Sequence, residues 1–154
     1  MQLRLNGKIA TIPDDLQDEL LIWALHDTLK LNGTRYGCGA SWCGSCTVLA
    51  DNIAIRSCQT TVAKVVDRDL ITVEGLAQGE TLHPVQQAFL ENPLQCCYCM
   101  TGHIITAVAF LQQNPNPNPA EIDTAMDVNL CRCGGYNNIR KNVLRASELM
   151  RGQS

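Results

Sequence analysis

The sequence predicts an α+β protein, with a small mixed sheet and one helix over roughly residues 1–75 and a helical half after them. Two turns between short apolar runs indicate hairpins in the first part. Beyond residue 81 the apolar positions recur at helical spacing. Each part also carries a spaced set of four cysteines, and the two sets together make up eight of the nine in the chain. These three observations predict two small units, each built around its own cysteine set.

The N-terminal segment predicts a hairpin followed by a helix. Asn6-Gly7 lies between two short apolar alternations, and both positions of a tight hairpin turn favour residues that tolerate positive φ. Residues 13–15, Pro-Asp-Asp, then predict a helix start, with an aspartate that accepts from free backbone N–H groups. Apolar residues at helical spacing extend this predicted helix to about residue 31.

The rest of the sheet is predicted from a second hairpin and one more strand. Asp51-Asn52 separates apolar runs at residues 47–50 and 53–56. This hairpin returns Cys58 to the loop that holds the earlier cysteines. Residues 70–73 are typical of a further strand.

Four helices are predicted in the second half. Pro84 stands at a first helical position, and His83 before it is expected to cap or pack rather than bind metal, because the cysteine sets are already complete. The other helices are predicted over residues 102–113, 120–128 and 138–150. The Asn-Pro repeats between the second and third of these cannot be helical and predict a loop.

The first cysteine set has the spacing of a plant-type [2Fe–2S] site. It reads C-x4-C-x2-C, followed by a fourth cysteine, and its members are Cys38, Cys43, Cys46 and Cys58. Glycines are interleaved with the first three of them. A loop around an anionic cluster must turn its N–H groups toward sulfur, and glycine permits the tight or left-handed backbone that this requires.

The second cysteine set lies in two loops between predicted helices. Cys96 and Cys99 form C-x2-C between the first two helices, and Cys131 and Cys133 form C-x-C between the last two. Cys97 is left over. Cys96 with Cys99 is the preferred pair, because C-x2-C lets two sulfurs reach one iron with little strain. Cys97 with Cys99 would mirror the C-x-C pair and stays an alternative. Four thiolates satisfy one two-iron cluster, so eight predict two clusters.

Two other uses of cysteine compete with iron–sulfur binding. A secreted disulfide scaffold favours an export signal and an even cysteine count, and the sequence has neither. Structural zinc sites usually consist of two C-x2-C knuckles, and neither cysteine set has that form. The spacing therefore favours [2Fe–2S] clusters over both.

Charge and hydropathy indicate a soluble protein. The net charge of −3 and the lack of a Lys/Arg run give no reason to expect a nucleic-acid partner. The longest apolar stretch near the start, residues 20–25, is far shorter than the roughly 20 residues that span a bilayer, so no membrane insertion is expected. The N-terminus lacks the apolar core of a signal peptide, and a cytoplasmic location is expected unless a partner carries the chain elsewhere.

The chain resembles the small iron–sulfur subunit of the molybdenum hydroxylases, the xanthine oxidase family. The motifs that carry the resemblance span nearly the whole sequence. They are residues 36–39 and 42–48, Arg56-Ser57-Cys58, His83-Pro84-Val85 with the four residues after it, Gln95-Cys96-Cys97-Tyr98-Cys99, and Asn129-Leu130-Cys131-Arg132-Cys133. The resemblance implies a plant-type ferredoxin-like β-grasp domain over residues 1–76. It further implies an all-α four-helix-bundle [2Fe–2S] domain over residues 77–154.

The same resemblance implies roles for the site residues. The first cysteine set would bind the outer cluster, and Cys96, Cys99, Cys131 and Cys133 the inner cluster, nearest the molybdenum. The positions of Gln95 and Cys133 would also contact the molybdopterin held by a large partner subunit. Electrons would pass one at a time through the two clusters to a flavin subunit, cytochrome or other acceptor, while the large subunit hydroxylates an N-heteroaromatic compound or an aldehyde.

Two positions depart from the family pattern. Cys97 stands where the family usually has glycine, and residues 100–102, Met-Thr-Gly, replace the common Thr-Pro-Gly. Met100 resembles members that act on N-heteroaromatic substrates. The competing functions are a free-standing two-cluster ferredoxin and a zinc-stabilised interaction module. A single-cluster ferredoxin would need only the first half of the chain.

Overall fold

A five-stranded mixed sheet forms the N-terminal half of the protein. The computed structural model describes residues 1–152. The strands stand in the order β2-β1-β5-β3-β4, where β1 and β5 run parallel and the other neighbours antiparallel. Their bounds are β1 Gln2–Leu5, β2 Lys8–Thr11, β3 Thr47–Ala50, β4 Ile53–Arg56 and β5 Asp69–Ile71.

Both predicted hairpins are confirmed. Asn6 and Gly7 connect β1 and β2 with φ values of 52° and 74°. Asp51 and Asn52 connect β3 and β4 with φ values of 50° and 64°. Positive φ at both central residues is the geometry that matches the twist of the strands. The predicted strand at residues 70–73 is shorter, because the chain leaves the sheet after Ile71 and turns at Val73–Gly75.

The predicted helix over residues 13–31 is wrong in its extent. A single 3-10 turn covers Asp14–Leu16, and α1 begins only at Leu21, running over Leu21–Trp23 and continuing as a π-helical turn over Ala24–Thr28. Pro13 has no side-chain cap, and the carboxylate of Asp14 binds the N-terminal amine instead.

The interruption has a structural cause. Leu20 is extended and bridges to Thr61, the Leu21 N–H donates to the Thr60 carbonyl at 2.8 Å, and the Val62 N–H donates to the Glu19 carbonyl at 3.0 Å. These bonds tie the segment before α1 to the segment that follows Cys58. Ile22 thereby packs against the thiols of Cys46 and Cys58.

The four helices predicted for the second half are confirmed. They are α2 Pro84–Glu91, α3 Met100–Gln113, α4 Pro119–Met126 and α5 Tyr136–Gly152. His83 caps α2 as expected. Its Nδ1 accepts from the Val85 N–H at 3.2 Å, and its own N–H donates to the side-chain oxygen of Gln86. Within residues 1–152 no helix combines the length and apolar composition needed to cross a membrane.

Strand β3 packs against both halves of the protein, and all four of its residues are buried. Val48 and Ala50 point into the core beneath the sheet, whereas Leu49 belongs to the core built around α3. The alternation of a strand thus places neighbouring side chains of β3 in two different cores. Helix α3 lies against β3 on one side and against the other helices on the rest of its surface.

The start of α3 approaches the first cysteine loop with no space for a side chain. A Cβ atom at Gly102 would lie 2.2 Å from the Gly44 carbonyl oxygen and 3.0 Å from the Ser45 Cα. The obstacle is backbone, which cannot rotate away. Glycine at this position therefore permits the close approach of the two halves.

We expect Gly102→Ala to destabilise the protein, because overpacking a tight contact typically costs about 1–3 kcal/mol. The thermal midpoint of the purified holoprotein should fall and its iron content should decrease. Gly152→Ala is the matched control, because it lies at the end of α5 with no atom within 4 Å of an added Cβ. Equal midpoints for the two variants would contradict this account of the contact.

Candidate metal centres

The hairpin β3–β4 brings the buried half of the first cysteine set together. Thr47 pairs with Arg56 at the open end of the hairpin, so that Cys46 and Cys58 flank the pair. The Ser57 N–H and hydroxyl both donate to the Cys46 carbonyl, at 3.2 and 2.7 Å. Both thiols are almost fully buried, and they interact with each other.

The exposed half of this set lies in a loop whose N–H groups point at sulfur. Cys38 Sγ accepts from the N–H groups of Ala40, Trp42 and Cys43, each at 3.3 Å, and Cys43 Sγ accepts from the Cys38 N–H at 3.4 Å. Positive φ at Gly39 turns the backbone inward, as the glycine pattern predicts, and Ser41 adopts the same left-handed conformation without being a glycine.

The pKa values of Cys38 and Cys46 are shifted in opposite directions. Burial alone would raise the pKa of Cys38, but the N–H groups of Ala40, Cys43 and Trp42 outweigh it, and the pKa is lowered to about 7. Burial raises the pKa of Cys46 to about 11. The loop therefore stabilises a sulfur anion by hydrogen bonds, whereas the buried thiol needs a positive partner such as a metal before it loses its proton.

The second cysteine set is assembled from two loops at one end of the helical half. The α2–α3 loop supplies Cys96 and Cys99, and the α4–α5 loop supplies Cys131 and Cys133. Their thiols interact across the loops, Cys96 with Cys133 and Cys99 with Cys131. The Gly135 N–H donates to Cys131 Sγ at 3.3 Å.

The members of the second set differ in exposure, and three of them have shifted pKa values. Cys99 and Cys131 are buried, and Cys96 and Cys133 are exposed. Burial, followed by the proximity of Cys131, raises the pKa of Cys99 to about 12. The Tyr98 N–H lowers the pKa of Cys96, while the hydrogen bond with the Cys96 thiol raises that of Cys133.

Cys97 is turned away from the other sulfurs. Its thiol donates to the Leu94 carbonyl at 2.9 Å, and the residue packs against the helical core. Its φ of 57° is a left-handed value that suits the glycine usual at this position. This placement favours Cys96 over Cys97 as a metal ligand. Gln95, predicted to contact the molybdopterin, is exposed beside Cys96.

Both sets have features that fit a [2Fe–2S] cluster. Each offers four thiols and backbone N–H donors directed at sulfur. The loops also leave no space for side chains near sulfur, since a Cβ at Gly37 would lie 2.7 Å from Cys43 Sγ and one at Gly135 would lie 3.3 Å from Cys131 Sγ. In the described part of the chain, no three His, Cys, Asp or Glu side chains are grouped to hold a single metal ion.

The two sets lie against each other. The Leu130 N–H donates to the Cys43 carbonyl at 2.9 Å, and the Tyr98 hydroxyl donates to the Tyr36 carbonyl. A cavity of about 220 Å³ lies between parts of the two loops. Members of both sets, including Cys43 and Cys99, line it. Tyr98 and Leu130 lie within the quoted sequence motifs, but no sequence signal indicates that these residues connect the loops.

Comparison with protein families matches both halves. A model described as a 2Fe-2S iron-sulfur cluster binding domain matches residues 3–101, and one described as a [2Fe-2S] binding domain matches residues 72–144. Among curated proteins, one of the subunits of nicotinate dehydrogenase from Pseudomonas putida is 42% identical over 98% of this chain and 96% of its own length. The alpha subunit of isoquinoline 1-oxidoreductase from Brevundimonas diminuta is 41% identical over 94% and 95%.

Solved structures share the fold over the whole chain. Quinoline 2-oxidoreductase from Pseudomonas putida 86 contains a chain that is 36% identical, with a TM-score of 0.88 over 99% of this chain and 95% of that one. The aldehyde oxidoreductase from Desulfovibrio gigas is 32% identical with a TM-score of 0.91, and it matches all of this chain. This protein spans only 18% of that longer chain.

We expect Cys97→Ser to leave both clusters in place, because a serine hydroxyl can donate to the Leu94 carbonyl as the thiol does. Cys96→Ser and Cys99→Ser should each lose or alter one cluster, because each removes a thiolate from the second set. Iron content and the paramagnetic resonance spectrum of the reduced protein measure both outcomes. Intact clusters in Cys96→Ser together with a lost signal in Cys97→Ser would show that the two roles are reversed.

Proposed function

The chain belongs to the family of small [2Fe–2S] iron–sulfur subunits of the molybdenum hydroxylases, and from this premise we propose how its own residues serve electron transfer within an oxidoreductase complex. The observation that carries the proposal is the pair of four-cysteine sets in direct main-chain contact. Each set combines thiols with N–H donors, and one hydrogen bond joins the two loops. When bound, the [2Fe–2S] clusters supply one-electron redox chemistry.

We assign the ligands by set. Cys38, Cys43, Cys46 and Cys58 hold the outer cluster, and Cys96, Cys99, Cys131 and Cys133 hold the inner one. The N–H donors to Cys38 and Cys131 stabilise the negative charge on sulfur, and so favour an additional electron there. Burial of two thiols in each set limits the access of water.

The contact between the loops offers a short connection from ligand to ligand. Leu130 precedes Cys131 in the chain, and its N–H donates to the carbonyl of Cys43 at 2.9 Å. One peptide linkage and one hydrogen bond therefore separate a proposed ligand of the inner set from one of the outer set. This arrangement supports rapid electron exchange between the two halves of the protein.

The large subunit that carries molybdopterin is proposed to cover the exposed side of the second set. Gln95 and Cys133 lie there, and we assign both to contact with the molybdopterin. Exposed apolar side chains lie at or near the same loops; they are Tyr98, Val128, Leu130 and Tyr136. Apolar side chains on the surface near a redox site are typical of a partner interface.

A second partner is proposed at the first set. Trp42 is 83% exposed beside Cys43, and Cys38 is exposed in the same loop. An aromatic side chain held in water next to the cluster loop suits the docking of an electron acceptor, which we propose to be a flavin subunit or a cytochrome.

The substrate class follows from the relatives. One relative described above is an aldehyde oxidoreductase, whereas the other three are named for nicotinate, isoquinoline and quinoline, all N-heteroaromatic compounds. We propose that the complex hydroxylates a compound of this class, with the substrate bound by the large subunit. Eight cysteines that must stay reduced to bind iron favour a reducing compartment, and we propose the cytoplasm as its location.

The metal content tests the proposal directly. The purified complex should contain about four irons per copy of this chain, because each [2Fe–2S] cluster holds two. Full reduction should produce two distinguishable paramagnetic signals. About half that iron content, or zinc in place of iron, would contradict the assignment.

The proposed interface is tested by a charge on its surface. We expect Leu130→Glu to release the large subunit during size-exclusion chromatography, because the complex would have to bury an unpaired carboxylate. Leu90→Glu is the matched control, since Leu90 is 57% exposed against 53% for Leu130 and lies on α2. Both variants should retain their iron. Equal recovery of the large subunit with each variant would exclude this face as the interface.

A further inference from the structure

Arg56 connects three segments that carry cysteines. It ends β4, two residues before Cys58, and its Nη1 donates to the Thr47 hydroxyl, one residue after Cys46. Its Nη2 donates to the Val128 carbonyl at 2.7 Å and to Asn129 Oδ1 at 3.0 Å, in the segment that leads to Cys131. One guanidinium thus joins the framework of the first set to the approach to the second.

The acceptor in the second half is itself held firmly. Asn129 is 2% exposed, and its side chain exchanges hydrogen bonds with the Thr106 hydroxyl of α3 at 3.1 and 3.3 Å. A Cβ at Gly44 would lie 2.3 Å from Asn129 Oδ1, so the loop of the first set lies directly against this amide. The Leu130 N–H that follows donates to the Cys43 carbonyl.

In the described part of the chain, Arg56 is held by hydrogen bonds and not by ion pairs. Among residues 1–152 its guanidinium forms no ion pair, and its acceptors are a hydroxyl, a carbonyl and an amide oxygen. A planar fork can reach several acceptors at fixed angles, whereas a lysine ammonium acts as a single point. The arrangement therefore depends on arginine and not on positive charge alone.

We propose that Arg56 is a positioning residue for electron transfer between the two clusters. It holds the Val128-Asn129 segment against β3 and β4, and in this way maintains the Leu130–Cys43 hydrogen bond and the separation of the two sets. The inference rests on the proposed function, because it assumes a cluster at each set. Arg56 lies outside both ligand sets, so its replacement removes no iron–sulfur bond.

The test uses the iron-loaded full chain in its complex and compares Arg56→Met and Arg56→Lys with the native protein. When both clusters are reduced, their spins couple, and the resulting splitting of the resonance lines falls with the cube of the distance between them. We expect Arg56→Met to lose the resolved splitting while keeping its iron. Hydrogen exchange of the Leu130 amide should be about tenfold faster, the order expected for losing a hydrogen bond to a charged group.

Arg56→Lys keeps the charge and the aliphatic stem but not the fork, so it should change both measurements in the same direction and by less. If Arg56→Met loses iron, the comparison of Arg56→Lys with the native protein tests the inference in its place. Arg145→Met is the control, because this arginine donates to Glu91 of α2 and Glu148 of α5, its bonds join neither cysteine loop to the other, and it should change neither measurement. Native splitting and native Leu130 exchange in iron-loaded Arg56 variants would overturn the inference. Absence of two coupled signals in the native protein would instead contradict the proposed function.

Discussion

Close approach of two backbones, with no side chain between them, is the constraint on which the rest of this structure depends. Gly44 belongs to the first cysteine loop and Gly102 to the start of α3. An added Cβ at Gly102 would lie 2.2 Å from the Gly44 carbonyl oxygen, and one at Gly44 would lie 2.3 Å from the side-chain oxygen of Asn129. Gly44 also requires its φ of 73°. With the backbones at this distance, main-chain groups of the two cysteine loops can bond directly. An ordinary side chain at either position would separate the loops and lengthen every connection between them.

The loops stabilise negative charge on sulfur with backbone groups and not with side chains. Backbone N–H groups are the donors to Cys38 and Cys131, so the stabilisation depends on the path of the chain and not on any mobile cation. Such donors are held in place before an electron arrives and need little reorganisation when it does. Burial raises the pKa values of the Cys46 and Cys99 thiols, and for these two metal binding must supply the compensation.

The sequence predicted those features whose cause is local. Asn6-Gly7 and Asp51-Asn52 predicted the hairpins because positive φ is a property of the turn residues themselves, and Pro84 marked the start of α2 for a similar reason. The helix predicted over residues 13–31 failed because its competitor is distant, namely the backbone at residues 60–63 that pairs with residues 17–21. Periodicity in the local sequence contains no information about that pairing.

The candidate sites also combine features that the local sequence predicted with features that it did not. Cysteine spacing predicted two sets of four thiols. In the structure Cys38 contacts Cys43, Cys46 contacts Cys58, and the members of the second set interact across their two loops, while the Cys97 thiol donates to the Leu94 carbonyl. The relation between the sets was not accessible, since the bond from Leu130 to Cys43 joins residues from different halves. Arg56 illustrates this limit, because the sequence placed it in a motif beside Cys58, whereas its contacts at Val128 and Asn129 lie more than seventy residues away.

The exposed thiols show where each cysteine set is accessible from the surface. Each set has two buried members, and each also has members at the surface, Cys38 in the first and Cys96 and Cys133 in the second. Between the sets lie the main-chain contact at Leu130 and the buried side chain of Asn129. In the proposed complex the large subunit covers the second set and the electron acceptor docks beside the first. Electrons that enter beside Cys133 and leave beside Cys38 would then cross the contact between the two halves, which is why the geometry of that contact matters for the proposed function.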